Sequence, residues 1–320
     1  MERHPGTAPP INDEAQIEEM LIETVLGVGT CEAHHGELLQ GMFYNNNGDI
    51  TRGLVTLPCP IFHTTAKFLP TPQPELHVLP SKIAKRKAAR AAELTLEFTQ
   101  RQGSGGLLFL GNDSPEGWGL GSSTTDVVST IRAVADAFSI SLSSDEVARI
   151  AVKAEVASDS IMYADAVLFA QREGYVIESY DRELPPMEIV GFNTDPTFAG
   201  IDTLLHPPAN YSWDEIEAFR PLRGLLKRGI FDQDPNLIGK VATESARLNQ
   251  KFLPKPRFAD ILQLGEEIGA VGVQVAHSGS VVGIIFDPVD NQLTRKMAKA
   301  VAALRQLGFP ACHRFRVGAI

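Results

Sequence analysis

Cysteine is scarce in this chain: three residues, Cys31, Cys59 and Cys312, in 320, widely spaced and odd in number. That excludes a disulfide framework and gives no zinc cluster, and a reducing, cytoplasmic setting is the expectation. Long apolar runs are missing as well. None approaches the ~20 residues that span a bilayer, so no membrane partner is expected. The first residues, with Asp13, Glu14, Glu18 and Glu19, lack the basic start and apolar core of a secretion signal. Positive charge is also short: 29 Lys and Arg against 39 Asp and Glu leave a net charge of −10. Such a balance repels nucleic acid at long range and argues against it as a partner. The one basic cluster, Lys82, Lys85, Arg86, Lys87 and Arg90, opens an expected helix from Ser81 to Gln102 and reads as a solvated face.

What the chain has is glycine in one telling place. Gly117, Gly119 and Gly121 fall within Pro115-Glu116-Gly117-Trp118-Gly119-Leu120-Gly121-Ser122-Ser123-Thr124-Thr125-Asp126, ahead of a segment with helical apolar spacing. A glycine loop opening onto a helix N-terminus offers unpaired N–H groups and the positive end of the dipole, which is an anion site. The Lys of a Walker loop is absent, and the glycines do not fit the dinucleotide fingerprint. The competing reading is a turn whose helix is capped by Ser122 or Ser123.

Elsewhere the pattern predicts an acidic helix at 14–24 and strands from 25 to 65 around an Asn45–Asp49 hairpin tip. A rigid surface link follows at 69–74, then a strand at 107–110 and a helix from Ser144 behind the capping pattern Ser143–Glu146. Two short strands flank a turn at 172–174, and Pro185-Pro186 marks a domain junction. Helices follow at 213–228, 236–250 and 258–268, and the last part alternates strands at 272–275, 281–286 and 313–317 with a helix at 293–307. The layout is α+β, divided as 1–24, 25–184 and 185–320.

The Pro115–Ser123 loop resembles the Pro-x-x-x-Gly-Leu-Gly-Ser-Ser signature of the GHMP kinases. Two further elements match that superfamily in order: His35-Gly36-Glu37-Leu38-Leu39-Gln40-Gly41 near the N-terminus and Gly272-Val273-Gln274-Val275-Ala276-His277-Ser278-Gly279-Ser280 near the C-terminus. The resemblance implies an N-terminal ATP-binding domain on a ferredoxin-like C-terminal domain, with ATP and Mg²⁺ as cofactors. It implies nucleotide contacts from Pro115, Gly117, Trp118, Gly119, Leu120, Gly121, Ser122, Ser123 and Thr124. The acceptor site falls to His35, Gly36, Glu37, Ser278 and Gly279, and a small molecule is the expected partner; a homodimer is compatible with the family.

By similarity to mevalonate kinase, Ser123 and the helical Glu155 are the expected Mg²⁺ ligands. Asp165, at the head of a strand, is the expected carboxylate toward the acceptor hydroxyl, with Asp159 as its rival. Ser122-Ser123-Thr124-Thr125-Asp126, Gly36–Gly41, Ser158-Asp159-Ser160 and His277-Ser278-Gly279 resemble the L-threonine kinases of cobalamin synthesis. That branch usually carries Cys-Pro-Gly-x-Cys ahead of Gly-Glu-Leu, where this chain has Cys31-Glu32-Ala33-His34-His35. In the register of that branch the Glu falls on Val156. The implied activity is phosphorylation of L-threonine or a similar hydroxy-amino acid. The alternatives are another small alcohol as acceptor, homoserine among them, or a catalytically silent nucleotide sensor.

Overall fold

The computed structural model describes residues 25–80, 85–115, 118–197 and 209–318. The helix expected at 14–24, the start of the one expected from Ser81, and Gly117 of the loop lie outside these residues.

Two long strands, β1 (Gly27–Tyr44) and β2 (Ile50–Thr71), form the spine. Their turn is held by Asn45, whose Oδ1 accepts the N–H groups of Asn47 and Asp49, both at 2.9 Å. β2 runs on through Leu69-Pro70-Thr71, because these residues pair with β4 (Gly105–Asn112), Pro70 opposite Gly106. The first half of the expected surface link at 69–74 is therefore strand. A short β3 (Leu76–Leu79), not anticipated, lies parallel to β4. The expected basic helix narrows to α1 (Arg86–Phe98).

Beyond the glycine loop come α2 (Ser122–Ala137) and α3 (Ser144–Glu155), the latter opened by a capping box in which Ser143 and Glu146 satisfy each other's backbone N–H. β5 (Val167–Ala170) and β6 (Tyr175–Ser179) form a hairpin on β2. The second half comprises β7 (Met187–Asn193), α4 (Trp213–Phe231), α5 (Pro235–Asn249), α6 (Phe258–Ile268), β8 (Gly272–Val275), β9 (Val281–Phe286), α7 (Leu293–Gln306) and β10 (Cys312–Val317). The ten strands of the described residues belong to one sheet, ordered β10-β7-β9-β8-β1-β2-β4-β3 with β5 and β6 off β2.

Two features tie the halves together. The ladder between β1 and β8 has a single rung, Glu37 opposite Val275. Beneath it, one hydrophobic cluster draws Leu38, Phe43 and Leu57 from the first half together with Ile189, Phe219, Ile285 and Phe315 from the second. Each such fully buried side chain contributes about 1.5–3 kcal/mol relative to exposure. The halves meet through core packing, and the signature motifs come together along that seam. No helix among the described residues is long and apolar enough to cross a membrane.

Candidate active site

The loop after β4 is built to leave a helix end open. Asn112 starts it, accepting the Ser114 N–H at 2.8 Å and donating to Asp126 at 3.0 Å. Gly119 and Gly121 take φ of +83° and +70°, a left-handed backbone that glycine adopts without Cβ strain. Gly121 is the N-cap of α2, and no side chain caps it. The reading of Ser122 or Ser123 as caps is thus corrected. The first turn of a 16-residue helix keeps its N–H groups and dipole for an anion.

The glycines also admit close neighbours. A Cβ on Gly119 would lie 2.3 Å from the Gly279 Cα, and one on Gly121 would lie 2.0 Å from the His34 Cδ2. Trp118 O accepts from the N–H groups of Ser280 and Val281 at 3.0 and 3.1 Å, and Leu120 O accepts from His34 N–H at 3.2 Å. The glycine loop is therefore stitched to both other motifs.

Two buried carboxylates face the start of α2. Ser123 Oγ donates to Glu155 Oε2 at 3.1 Å, and Thr124 Oγ1 donates to Asp159 Oδ2 at 3.3 Å. Glu155 closes α3 and Val156 then turns the chain at φ +70°, a conformation that costs a β-branched residue on the order of 1–3 kcal/mol. That turn brings the segment carrying Asp159 back beside Glu155. Burial pushes the Glu155 carboxyl up to about 7, with the Lys87 charge opposing. Its Oε1 is buried and has no hydrogen-bond partner among the described residues. An orphaned carboxylate oxygen beside a serine hydroxyl is the hard-oxygen donor set that a small divalent cation takes.

Asp159 behaves oppositely. Burial works against its charge, yet His34, with Nε2 2.8 Å from Oδ2, holds its carboxyl well below the usual range. The same contact raises the His34 pKa against the opposing effect of burial. His34 Nδ1 accepts the Gly36 N–H at 3.2 Å, so the ring proton sits on Nε2, toward Asp159. On the far side, Glu37 is clamped to the C-terminal motif: His277 N–H donates to Oε2 at 2.9 Å, and His277 Nδ1 lies 2.7 Å from Oε1. Burial lowers and Glu37 more than restores the His277 pKa, which rises to about 9. Lys255, lowered to about 8 by burial, donates to Gly279 O. Lys85 pairs with Asp126 on α2 at 2.7 Å, so part of the basic cluster faces the site rather than solvent.

The remaining expected residues divide. Gly36 packs against the Val275 and Ala276 backbone, and Glu37 holds His277. His35 is fully buried beside Gln274, His313 and Phe315, away from its neighbour His34. Ser278 lines a cleft with His277, Ala157 and Arg52. Asp165 is not brought together with Ser123, Glu155 or Asp159: it is exposed ahead of β5 and lines a separate groove with Glu32, Tyr163 and Arg316. His34 and His277 were missed as site residues. Strand alternation of His34 and His35 held the signal for the first; for the second it lay in the His277-Ser278-Gly279 element, of which only Ser278 and Gly279 are expected at the acceptor.

Models of the GHMP kinase N-terminal and C-terminal domains match residues 84–171 and 222–304. An L-threonine kinase of Salmonella typhimurium is 26% identical over 296 residues, 91% of this chain and 93% of that one. A homoserine kinase of Methanocella arvoryzae is 27% identical over 51% of this chain and 56% of its own length. Among solved structures, homoserine kinase from Cytophaga hutchinsonii superposes with a TM-score of 0.64 at 14% identity, over 92% of this chain and 95% of that one. With both domain models in place over this site, the chain belongs to the GHMP kinases and is a small-molecule kinase.

Proposed function

We propose that the protein transfers the γ-phosphoryl group of Mg-ATP to the side-chain hydroxyl of L-threonine or a close hydroxy-amino acid. The observation that carries this reading is the convergence of Ser123, Glu155 and Asp159 on the uncapped start of α2. The open N–H groups bind phosphate oxygens. Ser123 and Glu155 hold Mg²⁺, which when bound neutralises charge on the nucleotide phosphates.

Asp159 faces the acceptor. A carboxylate held this acidic accepts the hydrogen bond of the hydroxyl and orients its oxygen, taking the proton only as the new O–P bond forms and the bond to the leaving diphosphate breaks. Loose phosphoryl transfer asks for such positioning more than for a strong base. His34 keeps Asp159 ionised and fixed. Support for the hydroxy-amino acid comes from the L-threonine kinase relative, which covers nearly the whole chain; the homoserine kinase relative makes homoserine the next acceptor to try.

The experiment is to incubate purified protein with Mg-ATP and L-threonine, L-serine, L-homoserine and uncharged small alcohols, following ADP release and phosphorylated product. ADP above background with a hydroxy-amino acid supports the reading. Release only with uncharged alcohols overturns the acceptor class, and no release with any acceptor overturns the transfer itself.

A further inference from the structure

A second cleft feature is left over once these contacts are assigned. The cleft bounded by His277, Ser278 and Ala157 extends toward Arg52, Gln171 and Arg172 and has a cavity volume of about 100 Å³. Most polar groups along it are committed to one another. Tyr211 OH donates to Asn249 Oδ1 at 2.6 Å, Asn249 Nδ2 donates to Gln40 O at 3.2 Å, and Gln40 N–H donates to Ser245 Oγ at 3.0 Å.

Two are not. Arg52 Nε and Gln171 Oε1 are buried and have no hydrogen-bond partner among the described residues. Arg52 lies on β2 and Gln171 directly follows β5, and the two are brought together because Leu54 pairs antiparallel with Phe169, two residues from each. Arg52 is anchored through Nη2 to Ala209 O at 2.7 Å, which leaves its guanidinium edge for something else. Burial disfavours the Arg52 charge and the charge of Arg172 adds to that, with Tyr211 and Glu173 opposing. Two like charges around a buried, unpaired donor are a standing cost, and an anion relieves it. The unpaired amide oxygen beside them asks for a donor.

We infer that Arg52 and Gln171 form the end of the acceptor site that reads an α-amino acid, Arg52 with Arg172 taking the carboxylate and Gln171 Oε1 the ammonium. This rests on reading the cleft beside His277 as the acceptor site of the kinase. A guanidinium pairs with a carboxylate in planar, two-pronged geometry, and an amide oxygen is a good ammonium acceptor. Together they select zwitterions over plain alcohols of the same size. An alcohol lacking either group leaves a buried polar atom unpaired, which is the strong form of discrimination.

The test is calorimetric titration of the full chain, with and without a non-hydrolysable ATP analogue. The probes are L-threonine, L-2-aminobutyrate, L-threoninol and (R)-3-hydroxybutyrate. L-2-Aminobutyrate keeps both charges but has no hydroxyl; threoninol lacks the carboxylate and hydroxybutyrate the ammonium. The two zwitterions should bind comparably, and the other two roughly ten- to a hundredfold more weakly. Arg52→Gln should weaken L-threonine by a similar factor and leave threoninol unchanged, with Arg52→Lys recovering part of the loss. Gln171→Leu should remove the difference between L-threonine and hydroxybutyrate. Arg172→Gln, made from a half-exposed residue, reads the carboxylate preference independently should Arg52→Gln melt early.

Threoninol binding as tightly as L-threonine overturns the inference, as do unchanged L-threonine affinity in Arg52→Gln and the absence of binding by any zwitterion. The two readings fail separately. Arg52-dependent binding of L-2-aminobutyrate without ADP release would retain this site and overturn the kinase reading. ADP release from uncharged alcohols without zwitterion binding would overturn this site and the hydroxy-amino acid acceptor while retaining phosphoryl transfer.

Discussion

Replacing Gly121 by alanine adds one methyl group at the point where the glycine loop meets His34. Two costs follow. The backbone there is left-handed at φ +70°, which disfavours alanine relative to glycine by about 1 kcal/mol. The new Cβ would lie 2.0 Å from the His34 ring, and relieving such an overlap in a packed interior costs about 1–3 kcal/mol. The sum is about 2–4 kcal/mol, or a drop of about 3–6 °C in melting temperature for a chain of this size. Because the ring that must move also holds Asp159, turnover should fall further than stability alone accounts for. The assay is a double-mutant cycle read by thermal melting: Gly121→Ala, His34→Ala and the pair. Removing the ring abolishes the overlap but not the backbone strain, so the two substitutions should show a coupling of about 1–3 kcal/mol in the direction of relief. Additive effects within a few tenths of a kcal/mol would mean that loop and imidazole do not press on each other, and the positioning argument for His34 would go with them.

Asp159→Asn should lower turnover by about two to four orders of magnitude with nucleotide binding little changed, whereas Asp165→Asn, on an exposed bend, should stay within about twofold of the wild type; steady-state kinetics showing the opposite order would return the role to Asp165. Ser123→Ala should cost roughly ten- to a thousandfold at limiting Mg²⁺, with higher Mg²⁺ recovering part of the rate, and an unchanged rate would remove Ser123 from the metal site. Stability should fall on the acid side. Burial keeps His35 neutral with its pKa well below the usual value, and His313 is lowered to about 4. The unfolded chain takes up protons near 6.5 while the folded His313 does not until about 4. Stability is therefore lost as pH falls through that window, at up to about 1.4 kcal/mol per pH unit for each group. His313→Gln should flatten part of the melting-temperature profile between pH 7 and 4.5, and a profile identical to the wild type's would refute the assignment.

Local chemistry made much of the fold readable. The Asn45–Asp49 turn, the capping box at Ser143–Glu146 and the helix Phe258–Ile268 needed only near neighbours, and each is where its residues indicate. Strand length was less readable, since Pro70 argues against a strand until β4 is seen to pair with it beyond the last β1 rung at Phe68, where the other edge of β2 is free of that ladder. The same division runs through the site. Ser123 and Glu155 meet as the resemblance implied. Asp165 was chosen on distance along the chain, but the turn at Val156 presents Asp159 instead. The motif His35–Gly41 takes in His35 and stops short of His34, while the pleat sends the two rings to different environments. Arg52 and Gln171 carry no motif at all; only strand pairing makes them neighbours.

The contact between Gly119 and Gly279 places two backbones where neither admits a side chain, 160 positions apart in sequence and one on each side of the seam. That makes the two positions a single heritable unit. Exchanging the C-terminal half of this chain for that of a relative would succeed only if the donor also carries glycine at the position of Gly279. A donor with alanine there would be rejected by an N-terminal half that is otherwise intact. In such chimeras the failure would appear as two halves that do not close on each other, and restoring glycine at that one position should repair it.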